Sequence, residues 1–237
     1  MRKLVFGIIS TFYLWSCSIN ENELIKSEIT KGTFIDLRDN HEYQWIKIGN
    51  QIWMAENLAF LPEVGKIKSD SLCLPDYFVY DYSGNSIVEA KTTENYKKYG
   101  VLYNFASALI ACPPGWHLPS EEEWKQLELT LGMNVAQIDE IYPVSRGTDQ
   151  GNQMKTESGW ENDGNGNNSS GFSALPGGFR FCNGNFWFKG SMGFWWTSSN
   201  DLSETAWARS LSSSSQTIFR NNNLKQNGFS IRCVKDN

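Results

Sequence analysis

The sequence predicts an α+β domain of short antiparallel strands, two short helices and extensive loops. Three observations predict it. Tyr43, Trp45, Ile46 and Ile48 recur beside the turn-prone strings RDNHE and GN, as in a small sheet. Ser120 opens a run of helix-start signals in CPPGWHLPSEEEWKQLELTLG. The stretch GFSALPGGFRFCNGNFWFKGSMGFWWTSSN, residues 171–200, interleaves glycines with Phe and Trp rings, so that rings replace long regular elements as core material.

With 237 residues, 40% hydrophobic and 14% aromatic, the chain can bury a real core. Its formal charge of −5, from 21 basic and 26 acidic residues, offers no broad cationic surface for phosphates. Nucleic acid is excluded as a partner on that ground.

The first residues resemble a bacterial lipoprotein signal. Arg2 and Lys3 form a positive start, LVFGIISTFYLW an apolar run short for a bilayer span, and LWSC ends at Cys17. Residues 1–16 are expected to be removed and Cys17 to carry the lipid; an ordinary secretory signal is the alternative. Either takes the mature chain out of the cytoplasm, and the lipoprotein reading places it in the bacterial envelope, at the outer membrane or cell surface. Residues 17–32 read as a polar tether, leaving 33–237 as the domain.

Within the domain, Phe34, RDNHE and the Tyr43–Ile48 run suggest a hairpin, and Gly49-Asn50 turns the chain into QIWMAENL. His41 falls in the first turn, where exposure is expected; Glu56 and Asn57 read as turn or hydrogen-bonding residues. Residues 61–100 are broken by Pro, Gly and Asp and read as irregular with short strands, pinned by Tyr77, Phe78, Tyr80 and Tyr82. VLYNFASALIA predicts a short helix that Pro113 and Pro114 stop. Ser120 and Glu123 form a capping box, Trp124, Leu127 and Leu131 a buried stripe, and Gly132 the stop. Glu121, Glu122 and Glu123 are thereby assigned to capping and surface rather than catalysis, and His117 to a hydrogen-bonded strand or loop position.

Cys73, Cys112, Cys182 and Cys233 are an even set in an exported chain, which implies up to two disulfides with three pairings open. Tying the last strand to an interior element favours Cys112 with Cys233, which leaves Cys73 for Cys182. No pair is close enough for a redox or zinc motif. Asp163, Asn165 and Asn167 alternate like calcium ligands, but Asn168 and Ala174 stand where such a loop needs glycine and glutamate, so no metal is expected. The GNGN and PGG strings lack a nucleotide-loop context, and Ser173 and Ser191 lack a nucleophile elbow. No cofactor and no catalytic set are expected.

Taken in order, YQWIKIGNQIWMAENL, YGVLYNFASAL, CPPGWHLPSEEEW, GFSALPGGFR, GFWWTSSN and GFSIRCVKD resemble the Fibrobacter succinogenes major paralogous domain family. The resemblance runs from about Thr33 to Asp236. It implies a C-type lectin-like fold in a secreted or lipid-anchored bacterial protein, with no agreed catalytic residues to transfer. The glutamate-proline-asparagine and tryptophan-asparagine-aspartate motifs of calcium-dependent sugar binders are missing. So is the cysteine pair that the related formylglycine-generating enzymes carry near the C-terminus.

The expected function is a surface-anchored, non-catalytic interaction or ligand-binding lipoprotein whose partner is a glycan or an envelope protein. A structural or assembly component of the envelope or a surface appendage is the alternative. A glycan hydrolase, which would need two carboxylates at catalytic separation, comes third. Trp187 is the first ligand-binding candidate, with Trp196, Arg180 and Asp201 beside it. Of Trp195 and Trp196, opposite-facing neighbours in a strand, one is expected in the core and the other at a pocket. Arg209 and Arg232 are expected to pair with acids or to lie over the sheet.

Overall fold

The computed structural model describes residues 30–65, 74–144 and 146–236. The signal, Cys17 and Cys73 lie outside them. The first strand, β1 (Lys31–Asp36), starts within the expected tether and pairs antiparallel with β2 (His41–Ile48), placing Gly32 opposite Trp45. At φ 60°, where glycine has no Cβ to clash, Gly49 turns β2 into β3 (Gln51–Met54). Both faces of β2 are used. Tyr43 and Trp45 pack toward one apolar cluster, and Ile46 and Ile48 belong to the other.

The segment read as irregular holds more structure than expected. After β4 (Tyr77–Phe78) come α1 (Ile87–Thr92) and α2 (Glu94–Tyr99), capped by the Ser86 and Thr93 hydroxyls, which accept from Glu89 N and Tyr96 N. Six residues are too few for apolar periodicity to show, so the caps were the legible signal. Next come β5 (Leu102–Tyr103), α3 (Phe105–Ala111) and β6 (Trp116–His117), with β5 pairing β4. Beyond them, α4 (Glu121–Thr130) begins at the expected capping box, with Ser120 accepting from Glu123 N and Glu123 from Ser120 N. The last helix is α5 (Gln150–Met154). Five α-helices among the described residues replace the two expected.

The second sheet gathers β7 (Gly177–Arg180), β8 (Phe186–Lys189), β9 (Met192–Asn200), β10 (Thr205–Ser212) and β11 (Phe219–Leu224) in the order β11-β10-β9-β7-β8. The final strand, β12 (Val234–Lys235), returns to the first sheet, in the order β1-β2-β3-β12-β6. The fold is α+β with mixed pairing: β7 runs parallel to β9, and the other strand pairs are antiparallel.

Both faces of β9 are covered. Trp195 enters the cluster of Trp53, Trp124 and Phe172, while Trp196 stacks 4.3 Å from Phe229 in the other and donates to the Tyr103 carbonyl. Their accessibilities are 1% and 0%. Trp196 is therefore core rather than a ligand contact, because a central strand between two apolar layers has no solvent side.

Helix α4 is held to the second sheet by charge. Glu128 accepts a bidentate pair from Arg146 at 3.1 and 2.7 Å and Arg209 Nε at 2.6 Å; Glu121 accepts from Arg209 and Arg220 at 2.5 Å each. Glu121 is thus buried, not a surface cap, whereas Glu122 is exposed. Three guanidiniums against two carboxylates satisfy most of the hydrogen-bonding capacity that makes buried charge tolerable.

Cys112 at the end of α3 and Cys233 beside β12 form the expected disulfide across 121 residues. Among the described residues Cys182 is a half-buried cysteine without a bridge, in the β7–β8 turn, and the pairing assigned to it with Cys73 lies outside them. The turn is closed by hydrogen bonds, with Cys182 N donating to Asn227 and Phe181 N to Asn185 O. Among the described residues no helix is long and apolar enough to cross a membrane.

Candidate functional site

A groove of about 520 Å³ runs between the first hairpin and the loop 168–173. One wall comes from Lys31, Thr33, Gln44 and Trp45, the other from Asn168, Ser169 and Ser173. The hairpin wall is flat for a local reason. Gly32 sits across from Trp45, and a Cβ there would come within 2.7 Å of indole carbon Cζ2. Without that carbon the ring lies down on the strand, and Trp45 Nε1 fixes it by donating to Thr33 O at 3.3 Å.

The loop wall is rigid. Asn168 and Ser173 both hold left-handed backbone, at φ 48° and 56°, and bind each other reciprocally. Asn168 Nδ2 donates to Ser173 Oγ at 2.9 Å, and Ser173 N donates to Asn168 Oδ1 at 2.8 Å. Conformations of this kind persist in non-glycine residues only where surroundings over-determine them. Gly171 rests on Ile46, and Arg232 supplies the remaining constraint from behind. Its guanidinium donates to the carbonyls of Phe172 and Ser173 and to Asn57 Oδ1, and lies 4.4 Å from the Phe172 ring.

Arg232 is fully buried among neutral oxygens, and that burial pushes its pKa down to about 9. The nearby carboxylate, Glu56, is engaged: it accepts from Gln44 N at 2.7 Å and lies 3.9 Å from His41 Nε2. The Glu56 carboxylate beside the imidazole holds the His41 pKa above the usual range despite burial. The groove is therefore lined by a tryptophan, two side-chain amides, hydroxyls and one ammonium, the polar-and-aromatic mixture of a small-molecule site.

The sequence-derived candidates are scattered. Trp187 is half-exposed on the edge strand β8, beside an open surface hollow with Asp81, Ser83 and Asn185. Next to it, Phe188 is also 50% exposed and has φ 64°, an outlier for a bulky residue. Arg180 is a correction. It is buried with its guanidinium 3.9 Å over the Phe78 ring, and burial lowers its pKa, so it packs the core instead of facing ligand. Asp201 accepts from Thr205 Oγ1 and Asn222 Nδ2, closing the β9–β10 turn. Asn165 and Asn167 accept from the Trp160 and Ser169 amides, and Asp163 is exposed. Among the described residues no group of three or more His, Cys, Asp or Glu converges on a metal-sized site.

Asn57 proved a hub: Trp195 Nε1 and Arg232 Nε donate to its carbonyl, and its amide donates to Tyr99 O and Ser230. Trp45 was read only as a strand residue. The one signal that could have singled it out is glycine opposite tryptophan, and that needs the strand register.

These observations define an α+β domain with a preformed, aromatic-walled groove. Residues 46–235 match the Fibrobacter succinogenes major domain, and the chain belongs to that family. No curated protein and no solved structure matches it. The matched span begins at Ile46, so β1 and Trp45 precede it.

Proposed function

We propose that the chain is an extracytoplasmic, non-catalytic binding module, lipid-anchored through Cys17, that takes a saccharide in the Trp45 groove. The observation that carries this reading is a groove lined by Trp45 on the hairpin side and by a locked wall of amide and hydroxyl groups on the other. A pyranose offers an apolar C–H face to stack on such a ring and hydroxyls for the amides. No carboxylate among the described residues lines the groove, which supports binding over glycoside hydrolysis. The C-type lectin-like relationship belongs to the same reading, supported by the C-terminal strand pairing inside the first sheet and by the disulfide tied to it.

The test is a glycan array with the full chain, with calcium and with chelator, beside Trp45→Ala. Retention of a glycan by the parent protein and its loss in the variant supports the proposal; an array without signal, or one unaffected by the substitution, removes it. Intact mass of the membrane form checks the anchor, since acylated Cys17 is required.

The alternative role, an assembly component of the envelope, draws on the exposed Trp187 and Phe188 of edge strand β8. A native mass above the monomer that collapses in Trp187→Ser/Phe188→Ser would favour it.

A further inference from the structure

We infer that the saccharide of the Trp45 groove is acidic, a carboxylated sugar of the hexuronate class whose carboxylate is taken by Lys31. This rests on the saccharide reading above and narrows it. Among the described residues Lys31 is the only charged one that lines the groove, and it enters no ion pair with any of them. It opens β1, opposite Ile46 of β2, and both residues line the groove.

A second cation stands behind the opposite wall. The four acceptors of Arg232 are neutral oxygens, of Asn57, Met54, Phe172 and Ser173, and a buried charge in that setting is weakly screened. Glu56 stands near Arg232 and His41 and offsets the buried charge there, and it is not among the residues that line the groove. Among the described residues the groove lining thus carries one positive charge and no negative one, in a chain whose formal charge is −5. A neutral sugar leaves the Lys31 charge unused. A uronate held in the groove can place its carboxylate at Lys31 in a charge-assisted hydrogen bond, about twice as strong as a neutral one.

Calorimetric titration of the full chain with uronate tetrasaccharides, each paired with its carboxyl-reduced neutral counterpart, tests this. At low salt the acidic member should bind about tenfold more tightly, a difference of one charge-assisted contact. The preference should collapse in Lys31→Gln, persist in Lys31→Arg and shrink in 0.5 M salt, while Trp45→Ala weakens both sugars. Equal binding of acidic and neutral members, or a preference that survives Lys31→Gln, overturns the acidic class and leaves the saccharide reading standing. Failure of every sugar overturns both.

Discussion

Arg232 Nη2 donates to the Ser173 carbonyl at 2.8 Å, so the C-terminal segment directly braces the loop that walls the groove. Residues 59 positions apart thereby share one conformation. Arg232→Met should leave the carbonyls of Phe172 and Ser173 and the Asn57 oxygen without this donor, at about 2–4 kcal/mol. Arg232→Lys keeps the charge but not the planar fork, and should recover only part of the loss. Urea unfolding and ligand affinity, measured on both variants, check this.

Gly32→Ala is expected to act on the site more than on the fold. The added carbon would press on Trp45, and the indole must swing away. Affinity should fall about tenfold, the scale of losing a ring contact, while the melting temperature moves by only a few degrees. A variant with unchanged affinity would show that the flat indole is not the platform.

Glu128 is buried between Arg146 and Arg209. Glu128→Ala leaves two guanidiniums without this counterion and should cost about 3–5 kcal/mol in chemical denaturation.

His117 is clamped on both ring nitrogens, Nδ1 at 2.6 Å from Asp236 and Nε2 at 2.7 Å from Glu123. Burial pulls its pKa down, but the two carboxylates outweigh that and hold it above the usual imidazole value. The folded pKa is thus the higher one, so the stabilisation is fully present below the unfolded value of about 6.5 and is lost as pH rises through the folded value. The melting-temperature gap between the parent chain and His117→Gln should be widest near pH 6 and narrow toward pH 8.5.

Removing the Cys112–Cys233 bridge by double alanine substitution frees a loop of 121 residues. On the chain-entropy account this costs about 5 kcal/mol. A much smaller loss in equilibrium unfolding would mean that the hydrogen bonds around β12 hold the C-terminus unaided.

What the sequence determined by itself was local or topologically forced. The capping box at Ser120 and Glu123, the Gly49-Asn50 hairpin and the short helix before Pro113 depend on neighbours a few residues apart. The Cys112–Cys233 pairing followed from needing to tie the last strand to the interior. Tertiary structure alone decided the rest. Trp195 and Trp196 are both buried because β9 lies between two apolar layers, and Glu121 is buried because Arg209 and Arg220 arrive from strands some 90 residues away. Arg180 fills the core over Phe78 for the same reason. The groove exists because strand register sets Gly32 against Trp45 and a buried cation holds residues 172 and 173 across from them. Long-range burial and register carry no local period, so no reading of neighbouring residues could have placed that indole at a site.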